Sequence, residues 1–150
     1  MNTTSKILIT AGCSLLLAAG TLSFLTFDAD AEPEISVSEK TELAQRWAEA
    51  WKVRDGSIRT SIMSADMLTD FRKTQLQENG DADSTVIRWS GPWVTDYNLT
   101  LKGEGIQIDY TYTDSTETEY SSSEFLGFSL RQGTPAVSAF ESLTELGIKP

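Results

Sequence analysis

Across Asp81-Ala82-Asp83-Ser84 the hydrophobic period of the chain changes from that of a helix to that of a strand, and no other feature restricts its fold as much. Before this point Leu43, Trp47, Ala50, Trp51 and Arg54 recur at helical spacings and make one broad stripe. Ser36 with Glu39 fits a capping box at the start of that helix, and Asp55-Gly56 supplies its stop. A short helical turn is predicted over Ile58 to Met63. Ser64 then caps a further helix with Met67, Leu68, Phe71 and Leu76 on one side, ended by Asn79-Gly80.

Beyond the switch, Ile106, Ile108, Tyr110 and Tyr112 alternate with Gln107, Asp109, Thr111 and Thr113, which predicts a strand from Gly105 to Thr113 with one apolar face. Tyr97, Leu99 and Leu101 alternate in the same way, and Lys102-Gly103-Glu104-Gly105 joins the two runs as a hairpin. Asp114-Ser115-Thr116 makes the next turn. A long strand from Glu117 to Arg131 then puts Tyr120, Leu126, Phe128 and Leu130 on one side, Gln132-Gly133 turns again, and Ala136 to Phe140 returns as a last strand. Gly91-Pro92 would break ladder pairing and so marks a strand end or a bulge. Helices followed by an antiparallel meander predict an α+β domain, with the N-terminal helices packed on a curved sheet of about four to five strands. The domain spans 38–140, after a tether over 32–37, and 141–150 reads as a frayed tail.

Composition narrows the function. The 150 residues contain no histidine, which excludes His-dependent triads, imidazole bases and histidine zinc sites. The single cysteine, Cys13, lies outside the predicted domain, so disulfides, thiolate nucleophiles and cysteine metal clusters fall away there. A net charge of -10 would repel a phosphate backbone and disfavours nucleic acid as a partner. Neither a metal nor another cofactor is implied.

From Ile7 to Phe27 no charge interrupts the chain, which as a helix is about 30 Å, the thickness of a bilayer core. Lys6 precedes this stretch while Asp28, Asp30, Glu32 and Glu34 follow it, so the remainder is expected outside the cytoplasmic membrane. Three fates compete. Ala29-Asp30-Ala31 is a signal-peptidase pattern that would release a secreted chain starting at Glu32. Left uncut, residues 1–31 form a hydrophobic N-terminal helix that anchors the protein in the membrane. Thr10-Ala11-Gly12-Cys13 resembles a lipobox, but the short apolar run before Cys13 makes lipidation the poorest of the three.

The series AQRWAEAW, KVRDGSIR, SIMS, SGPWVTDYNL, IDYTYTDSTETEY and SSSEFLGFSL, in that order, resembles the small extracytoplasmic module carried by regulatory membrane metallopeptidases of Gram-positive bacteria and by related exported proteins. The resemblance covers roughly 43–140. It implies a fold similar to nuclear transport factor two and ketosteroid isomerase: a cone of helices against a strongly bent antiparallel sheet, often enclosing a pocket. It also implies an accessory or sensing role and no protease, since the metallopeptidase zinc motif has no match here.

Trp47, Trp51, Trp89 and Trp93, with Tyr110 and Tyr112, are candidates to line such a pocket, with core packing as the competing role. The resemblance also singles out Arg54, Arg59 and Glu124, as a charge-assisted bridge from helix to sheet or as an anion site for a ligand carboxylate or phosphate. A ketosteroid-isomerase-like base at Asp109 conflicts with alternation, because tyrosines facing the cavity turn Asp109 away. No catalytic residue is assigned. The expectation is a non-catalytic binding, sensing or accessory module of the bacterial cell envelope. The alternatives are a small-molecule-binding pocket protein and a cryptic isomerase or hydrolase.

Overall fold

The computed structural model describes residues 33–88 and 90–149. The hydrophobic stretch, Cys13, the Ala31 cleavage site and Trp89 therefore lie outside the described residues. Three helices, α1 (Val37–Val53), α2 (Gly56–Ile62) and α3 (Ala65–Asn79), precede four strands, β1 (Trp93–Lys102), β2 (Gly105–Thr113), β3 (Glu119–Arg131) and β4 (Thr134–Ile148). The strands form one antiparallel sheet in the order β1-β2-β3-β4. The domain is thus α+β, with four strands. Among the described residues no helix is long and apolar enough to cross a membrane.

The capping box at α1 is complete: Glu39 N–H donates to Ser36 Oγ at 3.3 Å, and Ser36 N–H donates to Glu39 Oε2 at 2.9 Å. At the other end the helix stops on Arg54, one residue before the expected Asp55-Gly56. Arg54 is left-handed at φ 61°, and its N–H reaches the Ala50 and Trp51 carbonyls. Asp55 instead begins α2, accepting from the Ser57 N–H at 2.9 Å. Gly56 is required by space: a Cβ there would overlap the Thr85 carbonyl oxygen. The same approach is tied by a bridge between Asp55 and Val86, so 81–88 is held over the start of α2 although it has no periodicity of its own.

Leu43, Ala44, Trp47 and Ala48 bury one face of α1 together with Ile106, Ile108, Tyr110, Tyr112, Leu126 and Val137 of the sheet. Each large apolar side chain so covered stabilises the fold by roughly 1.5–3 kcal/mol. Trp51, Tyr97, Leu99 and Phe128 pack at the margin of this core, and the strand parity is the one alternation gave. Ser64 caps α3 through the Met67 N–H at 3.3 Å, and Gly80 ends it at φ 72°. Leu76 does not join the stripe. It is 56% exposed, because Met67, Leu68 and Phe71 face inward and the fifth position after Phe71 points well away from them.

β4 corrects the expected tail. The strand continues to Ile148, pairing Ser142 with Glu124, Thr144 with Ser123, and Gly147 with Ser121. Lys149 N–H donates to the Glu119 carbonyl at 3.0 Å and Lys149 Nζ lies 3.3 Å from Glu119 Oε2, which ties the chain down past the strand end. Register shifts at Gly127/Phe128, Ser123/Glu124 and Ser121/Ser123 each put an extra residue on β4 and reset which side faces inward. Gly91-Pro92 precedes β1, an edge strand with a shift of its own between Val94 and Asp96, in keeping with the break expected there.

Candidate functional site

Side chains of one sheet face line up in rows across the strands. Leu101, Ile106, Leu126 and Phe140 make one row; Leu99, Ile108, Glu124 and Ser142 make the next; Tyr97, Tyr110 and Ser122 the third. Glu124 is therefore a carboxylate in a largely apolar face, only 8% exposed, and a charge so placed must be met by donors. Three converge on its Oε1: Trp47 Nε1 at 2.9 Å, the Tyr110 hydroxyl in a short hydrogen bond, and Arg59 Nη2 at 3.4 Å.

Arg59 is positioned by α2 and held on several sides. Its Nε donates to the Trp47 carbonyl at 3.2 Å, and Nη2 also reaches the Tyr110 hydroxyl at 3.2 Å. The guanidinium carbon lies 4.3 Å from the Trp47 ring centroid and 4.9 Å from that of Trp51. A cation over an indole face gains about 2 kcal/mol where water is excluded, which adds to the ion pair. Trp51 Nε1 donates to the Tyr112 hydroxyl at 3.1 Å, and that hydroxyl lies 2.8 Å from Ser122 Oγ. Burial and the Glu124 charge both push the Tyr110 phenol well above the ordinary tyrosine range, with Arg59 opposing them.

The bridge from helix to sheet is thus made by Arg59. Arg54 takes no part in it: its guanidinium lies 5.8 Å from the Trp93 ring centroid at the start of β1. Trp93, 45% exposed, does not join the other aromatic candidates, because it opens β1 at the sheet edge while Trp47, Trp51, Tyr110 and Tyr112 meet under α2. Asp109 faces the opposite side of the sheet, where it accepts from Gln107 Nε2 at 2.8 Å. Among the described residues no group of three or more cysteine, aspartate or glutamate side chains is arranged to hold a metal ion.

A cavity of about 780 Å³ opens beside the Arg59 cluster, bounded by α3, the segment 84–88 and the middle of β4. Trp47, Trp51 and Arg59 border it from α1 and α2, Met67 and Phe71 from α3, and Phe140 from β4. Tyr110 and Tyr112 do not reach this space. Tyr110 is covered, and Tyr112 borders a smaller groove of about 270 Å³, shared with Glu124, Ser142 and Thr144, on the other side of Trp51. The cavity exists because α3 stands off the sheet: it has no fully buried residue, and its apolar face is only partly covered. Thr85, Val86 and Ile87, which wall the cavity, and Phe140 were missed as lining residues. The acidic, small-residue stretch Asp81 to Ser84 reads as a plain loop, and no local signal announces the contact of the following Thr85 with Gly56.

The chain matches no known protein family, no curated protein and no solved structure.

Proposed function

We propose that this protein is a non-catalytic binding or sensing module of the bacterial cell envelope, and that the cavity between α3, 84–88 and β4 is where it takes up a small ligand. The observation that carries the reading is the cavity itself. At about 780 Å³ it lies within the range of small-molecule sites, roughly 300–1,000 Å³, and its border combines aromatic and thioether side chains with a few charged groups. The charged residues that would be first choices for chemistry, Arg59 and Glu124, are bonded to each other and to Trp47 and Tyr110, an arrangement suited to holding helix and sheet together. Their role in this reading is to hold the border rigid.

The extracytoplasmic placement rests on the apolar run Ile7–Phe27 and the acidic residues after it. The sensing role rests on the resemblance of 43–140 to modules of regulatory membrane metallopeptidases, and the bent, cone-like form of the sheet belongs to the same reading. Register shifts along β4, which raise local twist, agree with it.

Titration of the purified full-length chain with the neutral fluorescent probe N-phenyl-1-naphthylamine tests the pocket. Thr74 is exposed on α3 and borders the cavity, so Thr74→Trp occupies the space without touching the core. Probe binding that is weakened at least tenfold in Thr74→Trp, while the melt is unchanged, supports the reading. Binding that is equal in both chains, or no binding in either, overturns it.

A further inference from the structure

The charges around the cavity are unevenly divided. Asp66, Asp70 and Glu78 stand along α3 at intervals of four and eight residues, so they share one side of the helix and form a lip over the cavity. Against them stand Arg59, whose charge is already met by Glu124 at 3.4 Å, and Arg88 on the opposite segment. Asp70 has a partner in Lys73 at 3.2 Å, but both are well exposed and such a pair is weak. The acidic excess at the mouth thus faces an apolar interior of Met63, Met67, Phe71 and Phe140.

We propose that the ligand of this cavity is a cationic amphiphile: an apolar body seated against Met63, Met67, Phe71 and Phe140, with an amine or quaternary ammonium head at the lip of Asp66, Asp70 and Glu78. This rests on the pocket reading above and adds the charge class of the ligand. An anionic ligand is disfavoured twice, by the lip and by the net charge of -10 over the chain. Of the two cations on the border, Arg59 is already engaged by Glu124, so an anion that recruited it would leave a buried carboxylate short of a donor, and Arg88 alone stands against the three carboxylates of the lip. A cationic head needs no rearrangement.

Three probes with one aromatic body separate the possibilities: 2-ethylnaphthalene, 2-(2-naphthyl)ethanesulfonate and 2-(2-naphthyl)ethyl-trimethylammonium, each titrated calorimetrically into the full-length chain. The trimethylammonium probe is expected to bind about tenfold more tightly than the sulfonate, a gap that narrows as salt rises. In the triple variant Asp66→Asn, Asp70→Asn, Glu78→Gln the gap closes to about twofold, while the neutral probe binds as in the parent. All three positions are on the surface of α3, and a melt matching the parent certifies the variant's fold. If the sulfonate binds best, or the triple variant keeps the full preference, the cationic assignment is overturned while sensitivity to Thr74→Trp still upholds the pocket. If Thr74→Trp alters the binding of none of the three, both readings are overturned together.

Discussion

Arg59 and Glu124 meet at 3.4 Å between α2 and β3, with each side chain nearly withdrawn from water. The contact does not stand alone, because the Glu124 oxygen that receives Arg59 also receives the Trp47 indole and the Tyr110 hydroxyl. Helix α1, helix α2 and strands β2 and β3 are all tied to one oxygen atom. Removing the carboxylate unsatisfies three donors, whereas removing the guanidinium leaves a buried charge with two neutral donors.

Glu124→Ala is therefore expected to cost about 3–5 kcal/mol of stability, and Arg59→Ala a comparable amount. The double variant should lose less than the sum by about 1–3 kcal/mol, since each single change already breaks the shared network. Denaturant melts of the four chains measure this. Single variants that melt like the parent would show that the cluster does not hold the fold together.

Alkali should loosen the same region. Tyr97 donates to Glu49 at 2.8 Å, and burial followed by that hydrogen bond pushes its phenol up to about 12; Tyr110 is raised further by burial and Glu124. Both pKa values are higher folded than unfolded, so their contribution is full below about pH 10 and is lost as pH rises toward and beyond 12. Absorbance at 295 nm is expected to show delayed ionisation, with the melting temperature falling once pH passes about 10. Substituting Tyr97→Phe and Tyr110→Phe should remove most of the delayed phase, leaving the part due to Tyr120, whose hydrogen bond to Asp114 also raises its phenol. A titration in which all phenols ionise together near pH 10 contradicts this.

Asp114 sets the behaviour in acid. Its carboxylate accepts from the Thr116 hydroxyl at 2.7 Å, the Thr116 N–H at 2.8 Å, the Thr118 N–H at 3.0 Å and the Tyr120 hydroxyl at 2.9 Å, organising the whole β2–β3 turn. The Thr116 hydroxyl contributes most, and together these bonds lower the group to about 2. A folded pKa below the unfolded value means stabilisation that is present above about pH 4 and lost as pH falls toward 2. NMR titration of the Asp114 carboxyl carbon should give that midpoint, and Asp114→Asn should flatten the acid limb of stability. A midpoint near 4 would show that the turn does not hold the carboxylate.

Much of this was legible in sequence wherever a signal was local. The Ser36–Glu39 box, the Ser64 cap and the Gly103-Glu104 hairpin appear where spacing put them, and the alternation of β2 gave the correct inward face. The resemblance singled out Arg54, Arg59 and Glu124, and the need of a partly buried carboxylate for a partner pointed to a bridge, but which of the two arginines makes it depends on how α2 packs on the sheet. What failed was non-local. β4 carries three register shifts, one between Val137 and Ala139 and two beyond Phe140, and each removes the alternation by which a strand is recognised. Trp93 resembled its neighbours in type, but its place at the sheet edge depends on strand order and not on residue identity. The cavity's outer wall, 84–88, is irregular backbone, tied by the Asp55–Val86 bridge and able to approach α2 so closely only because Gly56 has no side chain.

That glycine gives the test that connects packing to the pocket. A methyl group at Gly56 would overlap the Thr85 carbonyl, a backbone atom that cannot rotate away, so Gly56→Ala must push 84–88 outward or distort the start of α2. Overpacking of this kind costs about 1–3 kcal/mol. Because Thr85, Val86 and Ile87 wall the cavity, the same variant should also bind N-phenyl-1-naphthylamine more weakly at a temperature where it is still folded. Gly80→Ala is the matched control. It sits at φ 72° with nothing within 4 Å, so it strains the end of α3 by roughly 1 kcal/mol without meeting any neighbour. A lowered melt in both variants with weakened binding only in Gly56→Ala would locate the effect in the wall. Equal binding by the two chains would mean that 84–88 does not shape the pocket, whatever its distance from the helix.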